Sequence, residues 1–282
     1  MKVLRSVNRM AALAQQWRRQ GRRIGVVPTM GALHEGHGSL IRRAAAENEV
    51  VIVTVFVNPL QFGPREDFAR YPRNLLRDLR FARGAGAHLL FAPSTQAVYP
   101  RGFQTVVGMG ALAERWEGSA RPGHFRGVAT VVTLLFQLTQ PTNAYVGQKD
   151  YQQALIIRQL VRDLRLPVRV HILPTVREAD GLAMSSRNRH LTNAQRRQAA
   201  VIPRALQEGR VLIRAGERRA EPVLRRMRRL LTSETRARID YLAIVHAQTL
   251  APQSRLQGRV AILLAMRIGR TRLIDNLLVD VP

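Results

Sequence analysis

Residues 24–37 read Ile24-Gly25-Val26-Val27-Pro28-Thr29-Met30-Gly31-Ala32-Leu33-His34-Glu35-Gly36-His37. The first five form an apolar run, rich in β-branched residues and stopped by a breaker, which is the pattern of a buried strand. Glycines and two histidines follow, and a helical pattern at 39–48 begins directly after them. A strand that feeds a helix through a glycine-containing turn is the opening of an open α/β sheet. Ligands bind such sheets just outside the carboxyl ends of the strands.

Outward from this stretch the same pattern repeats. Apolar runs at 50–57 (VVIVTVFV), 88–92 (HLLFA), 143–147 (NAYVG) and 168–173 (VRVHIL) alternate with helical patterns near 73–85, 127–139 and 151–164. Alternation of this kind implies right-handed βαβ crossovers and a parallel sheet. Runs that are continuously apolar, not alternating, fit a sheet covered on both faces. Residues 1–176 therefore read as a Rossmann-like, doubly wound domain that opens on an amphipathic helix. Beyond it, Arg-rich helices at 192–214 and 219–232 precede three strand-like runs at 239–246, 259–266 and 271–279. Consecutive strands favour a small antiparallel sheet. Residues 177–282 read as a smaller α+β domain, expected to act as a lid.

Composition narrows the function classes. With no cysteine there is no disulfide, thiolate metal site or Cys nucleophile. No apolar run approaches the roughly 20 residues of a membrane helix, and the N-terminus lacks the layout of a secretory signal. A cytoplasmic protein with no membrane partner is expected. The net charge of +26 raises the prospect of nucleic-acid binding. The charge is spread along the chain, however, and its densest part, 196–229, holds eleven Arg against three Glu and no aromatic residue to stack on bases. Of 45 basic residues only Lys2 and Lys149 are lysine, a bias that suits coding preference as well as it suits a binding surface. Solvated helix faces are expected, with no specific nucleic-acid partner. Lys149 stands out against this bias, because an ammonium is a compact point charge that a planar guanidinium does not replace.

Four segments carry chemistry. In Met30–His37 the glycines and the helix start favour an anion, and His34 and His37 at i and i+3 add donors for charge on a phosphoryl oxygen. A pair of packed structural histidines would give the same letters. The zinc-protease pattern needs histidines at i and i+4, so no resident metal is expected. At the end of the second long run, Asn58 and Gln61 are neutral hydrogen-bonders suited to hydroxyls and a carboxylate, although Asn-Pro is also turn material. Gly147-Gln148-Lys149-Asp150 places the isolated lysine at another strand end, with Gln153 one turn on; Asp150 suits either a helix cap or a ribose hydroxyl. Met184-Ser185-Ser186-Arg187 offers hydroxyls and a guanidinium, a phosphate clamp on a loop or a polar linker.

Together these stretches are similar to the pantothenate synthetase (pantoate–β-alanine ligase) family of the nucleotidylyltransferase superfamily. The matching segments are PTMGALHEGH, FVNPLQFGP, RYPR, FAPS, GSARPGHFRGVATVV, GQKDYQQ, PTVREADGLAMSSRNRHL and TRLIDN, in order from Pro28 to Asn276. The resemblance implies that pantoate attacks the ATP α-phosphate and that β-alanine then attacks the pantoyl adenylate. It implies an ATP site of Met30, Gly31, Ala32, Leu33, His34, Glu35, Gly36, His37, Gly147, Gln148, Lys149, Asp150, Val176, Met184, Ser185, Ser186 and Arg187. His37 would be the proton donor, with His34 and Lys149 on the phosphates. Gln61 and Gln153, beside Asn58, would hold pantoate, with Gln61 also near β-alanine. Mg²⁺ would come with the nucleotide, and the chain would form a homodimer. Gly38, Leu134, Gln148 and His246 depart from the family's usual residues, which bears on stability and substrate affinity more than on reaction type.

Overall fold

The computed structural model describes residues 1–64, 66, 68–234 and 237–282. The chain forms two compact units, Met1–Gln148 with Gln152–Pro174, and Lys149–Tyr151 with Thr175–Pro282.

The strands of the first unit are β1 (Lys2–Leu4), β2 (Ile24–Thr29), β3 (Val50–Val55), β4 (Leu89–Phe91), β5 (Asn143–Gly147) and β6 (Arg169–Leu173). The helices with them are α1 (Val7–Arg19), α2 (Glu35–Glu47), α3 (Leu75–Gly84), α4 (Thr95–Val98), α5 (Glu117–Ala120), α6 (His124–Thr139) and α7 (Tyr151–Asp163). All the strand pairs are parallel, in the order β1-β4-β3-β2-β5-β6. Side chains alternate across each strand. Thus Ile24, Val26, Val50 and Ile52 join one core with α1, α6 and α7, while Val27, Val51 and Val53 join another with Leu40, Ile41 and Ala44 of α2 and Ala82 of α3. That is why these strands read as continuously apolar. From β2, the chain adds β3 and β4 on one side and β5 and β6 on the other, so the carboxyl ends of β2 and β5 flank the point where strand order reverses.

Two differences from the sequence reading matter. The N-terminal stretch reads as helix alone, yet it opens on β1, which at three residues is too short to show a period. Helix α2 begins at Glu35 and not at 39, so His37 and Gly38 lie inside it. Gly36 and Gly38 are poor helix formers and hide this first turn from a propensity reading. The helix is unbroken at Gly38, which is buried; a Cβ there would lie 3.1 Å from Phe81 Cζ and from Glu35 Oε2.

In the second unit the expected helix at 192–214 is two helices, α8 (Asn193–Ala199) and α9 (Val201–Arg214). Pro203 has no N–H for the Ala199 carbonyl, so the ladder breaks between them. Helix α10 (Ala220–Glu234) follows, then β7 (Arg238–His246), β8 (Arg259–Ile268) and β9 (Thr271–Asp280), antiparallel in that order. Ile202, Leu206 and Ile213 of α9 and Val223, Met227 and Leu231 of α10 share a core with Ile244, Ile262, Leu264 and Met266 of the sheet. Among the described residues no helix is long and apolar enough to cross a membrane.

Candidate active site

After β2 the backbone turns through the left-handed region twice, at Gly31 (φ 82°) and Ala32 (φ 51°). A Cβ on Gly31 would lie 2.8 Å from Asp78 Oδ2 and 2.9 Å from Val55 Cγ1, so only glycine fits. Ala32 carries strain on the order of 1–3 kcal/mol. The carboxylate of Asp78, 2% exposed on α3, holds the turn. It accepts the N–H groups of Ala32 (3.0 Å) and Leu33 (2.8 Å), while Thr29 Oγ1 accepts the Gly31 N–H at 3.0 Å.

The turn delivers His34 in extended conformation as the residue capping α2. The His34 backbone N–H donates to His37 Nδ1 at 3.3 Å, which assigns the proton of the neutral His37 ring to Nε2. The two imidazole centroids are 4.1 Å apart. A Cβ on Gly36 would meet His34 Cε1 at 2.9 Å, so the glycine makes room for the His34 ring. Glu35 pairs with Arg42 at the exposed side of α2.

A second cluster lies beyond β3. Gln61 Nε2 donates to the Met30 sulfur at 3.1 Å, and Asn58 Nδ2 donates to Gln61 Oε1 at 3.1 Å and to the Gly127 carbonyl at 3.0 Å. Tyr99 OH donates to Asn58 Oδ1 at 2.8 Å. Asn58 is thereby saturated and orients the Gln61 carboxamide. The close approach of α6 needs Gly127, where a Cβ would sit 2.2 Å from the Leu60 carbonyl oxygen.

Behind Gln61 runs a charge-assisted chain. Arg121 donates to both oxygens of Glu66 at 2.7 Å and to His124 Nε2 at 3.0 Å, and His124 Nδ1–H donates to the Gln61 carbonyl at 2.8 Å. Burial, and then the Arg121 charge, push the His124 ring down to about 4. Burial opposes ionisation of Glu66, but the hydrogen bonds and charge of Arg121 outweigh it and hold the carboxyl below its usual range. The folded His124 ring stays neutral where an unfolded one takes a proton. Its contribution to stability is complete above about pH 6.5 and is lost as pH falls toward the folded value of about 4. We expect the first unit to lose about 2 kcal/mol between pH 7 and pH 5 on this account. Both tryptophans, Trp17 and Trp116, lie in that unit, so denaturation followed by their fluorescence reads it. A His124→Gln variant with the same loss over that range would show that other groups cause it.

The remaining expected residues are placed as follows. Gly147 ends β5, Gln148 follows it, and Gln153 is half-buried in the first turn of α7. Lys149 belongs to the second unit, with Nζ 3.6 Å from Asp150 Oδ1. The Val176 carbonyl accepts the Met184 N–H at 2.9 Å. Ser185 Oγ accepts the Arg187 N–H at 3.3 Å and caps the turn Ser186–His190. Two departures from the family pattern also find places. His246 Nδ1 accepts the N–H groups of Gln248 and Thr249 at 3.3 and 3.2 Å, a turn-capping task that any short acceptor can perform. Leu134 packs on the first unit's core.

The structure therefore joins Met30, Asn58 and Gln61 through hydrogen bonds, and His34 with His37 through their rings. Asp78, Tyr99, Arg121 and His124 are additions with no role in the sequence reading. Asp78 leaves a trace there, because it shares the apolar helix stripe of Leu75, Leu79 and Ala82. Arg121 and His124 fall within the matching segment GSARPGHFRGVATVV, but no local pattern ties His124 to Gln61, 63 residues away.

A profile of the family described as Pantoate-beta-alanine ligase matches residues 2–278. Pantothenate synthetase of Moorella thermoacetica is 53% identical over 281 residues, covering 100% of this chain and 99% of that protein. A crystal structure of pantothenate synthetase from Thermus thermophilus is 48% identical with a TM-score of 0.93, covering 98% of this chain and 99% of that one. A crystal structure of pantoate-beta-alanine ligase from Francisella tularensis, complexed with beta-gamma ATP and beta-alanine, is 36% identical with a TM-score of 0.82, covering 99% of this chain and 97% of that one.

Proposed function

Since the chain belongs to the pantoate–β-alanine ligase family, we propose that it condenses (R)-pantoate with β-alanine at the expense of ATP, through a pantoyl adenylate. A pantoate carboxylate oxygen attacks the α-phosphorus, the bond to the bridging oxygen breaks, and pyrophosphate leaves. The β-alanine amine then attacks the acyl carbon, AMP departs with the carboxylate oxygen, and the amide of pantothenate remains.

The observation that carries this reading is the His34–His37 pair at the start of α2, beside the reversal of strand order. Helix-terminal N–H groups and the His37 Nε2–H are donors suited to charge growing on the phosphates. Lys149, Ser185, Ser186 and Arg187 supply the other phosphate contacts, and Met30 to Gly36, Gly147, Gln148, Asp150, Val176 and Met184 the rest of the nucleotide site. Gln61, beside Asn58 and backed by His124, binds pantoate with Gln153. Mg²⁺ adds charge neutralisation when it accompanies the triphosphate. Among the described residues no group of three His, Asp or Glu could hold a metal ion.

The test uses purified protein, Mg²⁺, ATP and D-pantoate. AMP release that requires β-alanine is the expected result. Transfer of CMP from CTP without AMP formation would instead identify a nucleotidylyltransferase that stops at nucleotide transfer.

A further inference from the structure

Lys149 is anchored from its main chain. In the second unit its carbonyl accepts Asn276 Nδ2 at 3.0 Å, and two residues on Tyr151 OH donates to the Ala247 carbonyl at 2.6 Å. Asn276 is 2% exposed on β9, and its own N–H donates to Asp275 Oδ1 at 2.7 Å. Asp275, 3% exposed, is held by two bonds from Arg177, at 2.7 and 3.1 Å. Arg177 also donates to the Gly181 carbonyl at 2.9 Å and pairs in a β-bridge with Ala183, within the hairpin that leads into Met184–Arg187. Two adjacent strand positions thus tie down the lysine backbone and, through Arg177, the base of the serine–arginine loop.

We propose that Asn276 is a positioning residue for Lys149, fixing the main chain from which the ammonium reaches the phosphates of ATP. This rests on the reading of the chain as an ATP-using ligase. Packing alone does not explain the arrangement. A buried carboxamide and a buried ion pair are weak sources of stability compared with apolar residues of the same size. What they add is direction: Asp275 orients the Asn276 backbone, and the carboxamide then places an N–H on the Lys149 carbonyl. Asp275 also lies within electrostatic reach of the Lys149 charge.

The experiment measures binding of the β,γ-imido analogue of ATP with Mg²⁺ by calorimetry, and the KM for pantoate in pyrophosphate release. For Asn276→Ala, analogue affinity should fall about tenfold, the value of one lost hydrogen bond, with pantoate KM unchanged. In a Lys149→Ala background the same substitution should cause no further loss, because its effect passes through the lysine. Unchanged analogue affinity in Asn276→Ala, or a full repeat of the loss without Lys149, overturns the proposal. Should Asn276→Ala fail to fold, Asn276→Asp keeps the shape, lacks the donor and is judged by the same two criteria. Wild-type protein that binds the analogue but releases no pyrophosphate with pantoate would refute the ligase reading, while the titrations still decide the role of Asn276.

Discussion

Replacing His37 by Ala lowers the single-turnover rate of pantoate-dependent pyrophosphate release by about 10²–10³-fold, the usual loss when one donor aimed at developing charge is removed. The ring is aimed before any substrate arrives. Its Nδ1 accepts the His34 N–H at the helix start, so Nε2 carries the proton and the side chain is held where the chain leaves β2. Such preorganisation makes the donor valuable, because nothing has to reorient as charge builds. The fold should survive the change. Ala is the best helix former, and losing the hydrogen bond from the His34 N–H costs about 1 kcal/mol. The thermal midpoint should move by only a few degrees, which separates lost chemistry from lost structure. Wild-type single-turnover rates in His37→Ala would remove this imidazole from adenylation.

Asp78→Ala should be the most damaging single change to the first unit. It strips two buried N–H groups, those of Ala32 and Leu33, of their acceptor. Each unsatisfied donor costs about 1–3 kcal/mol, so the unit should lose about 2–6 kcal/mol, a large share of a typical domain's stability. The left-handed Ala32 is then free to relax, and the histidines lose their mounting. Denaturant unfolding followed by tryptophan fluorescence should show a lower midpoint at unchanged slope. Asp78→Asn, which keeps one oxygen acceptor, should fall between the two. A midpoint for Asp78→Ala equal to wild type would mean that water satisfies both groups and that the carboxylate does not hold the turn.

These two residues mark the reach of sequence reading. His37 is legible because its neighbours are local: a strand run, glycines, and a helix within a few residues. Its exact setting is not, since glycines at 36 and 38 hide the first turn of α2 from any propensity argument. Asp78 shows only as a charge on an apolar stripe, with nothing to say that it pairs with residues 45 and 46 positions earlier. Composition alone singles out Lys149. The sequence does not reveal that Lys149–Tyr151 group with the second unit, because the hydrogen bonds that tie them there come from Asn276 on β9 and Ala247 in the turn after β7.

By itself the amino-acid sequence determined the alternation of strands and helices, the antiparallel sheet that follows, and the strand ends to which the proposed chemistry is assigned. Those are short-range properties, written in periodicity, breakers and residue type over windows of about ten residues. Tertiary structure alone decided the reversal of strand order at β2, the Asp78 brace, the His124–Gln61 link and the Asn276–Lys149 anchor, the last across 127 residues. Apart from the strand order, each of these is a choice of partner for a buried polar group. A hydrogen bond buried this way becomes worth making only once folding has excluded water from both of its ends, and no local pattern records which end the other will be.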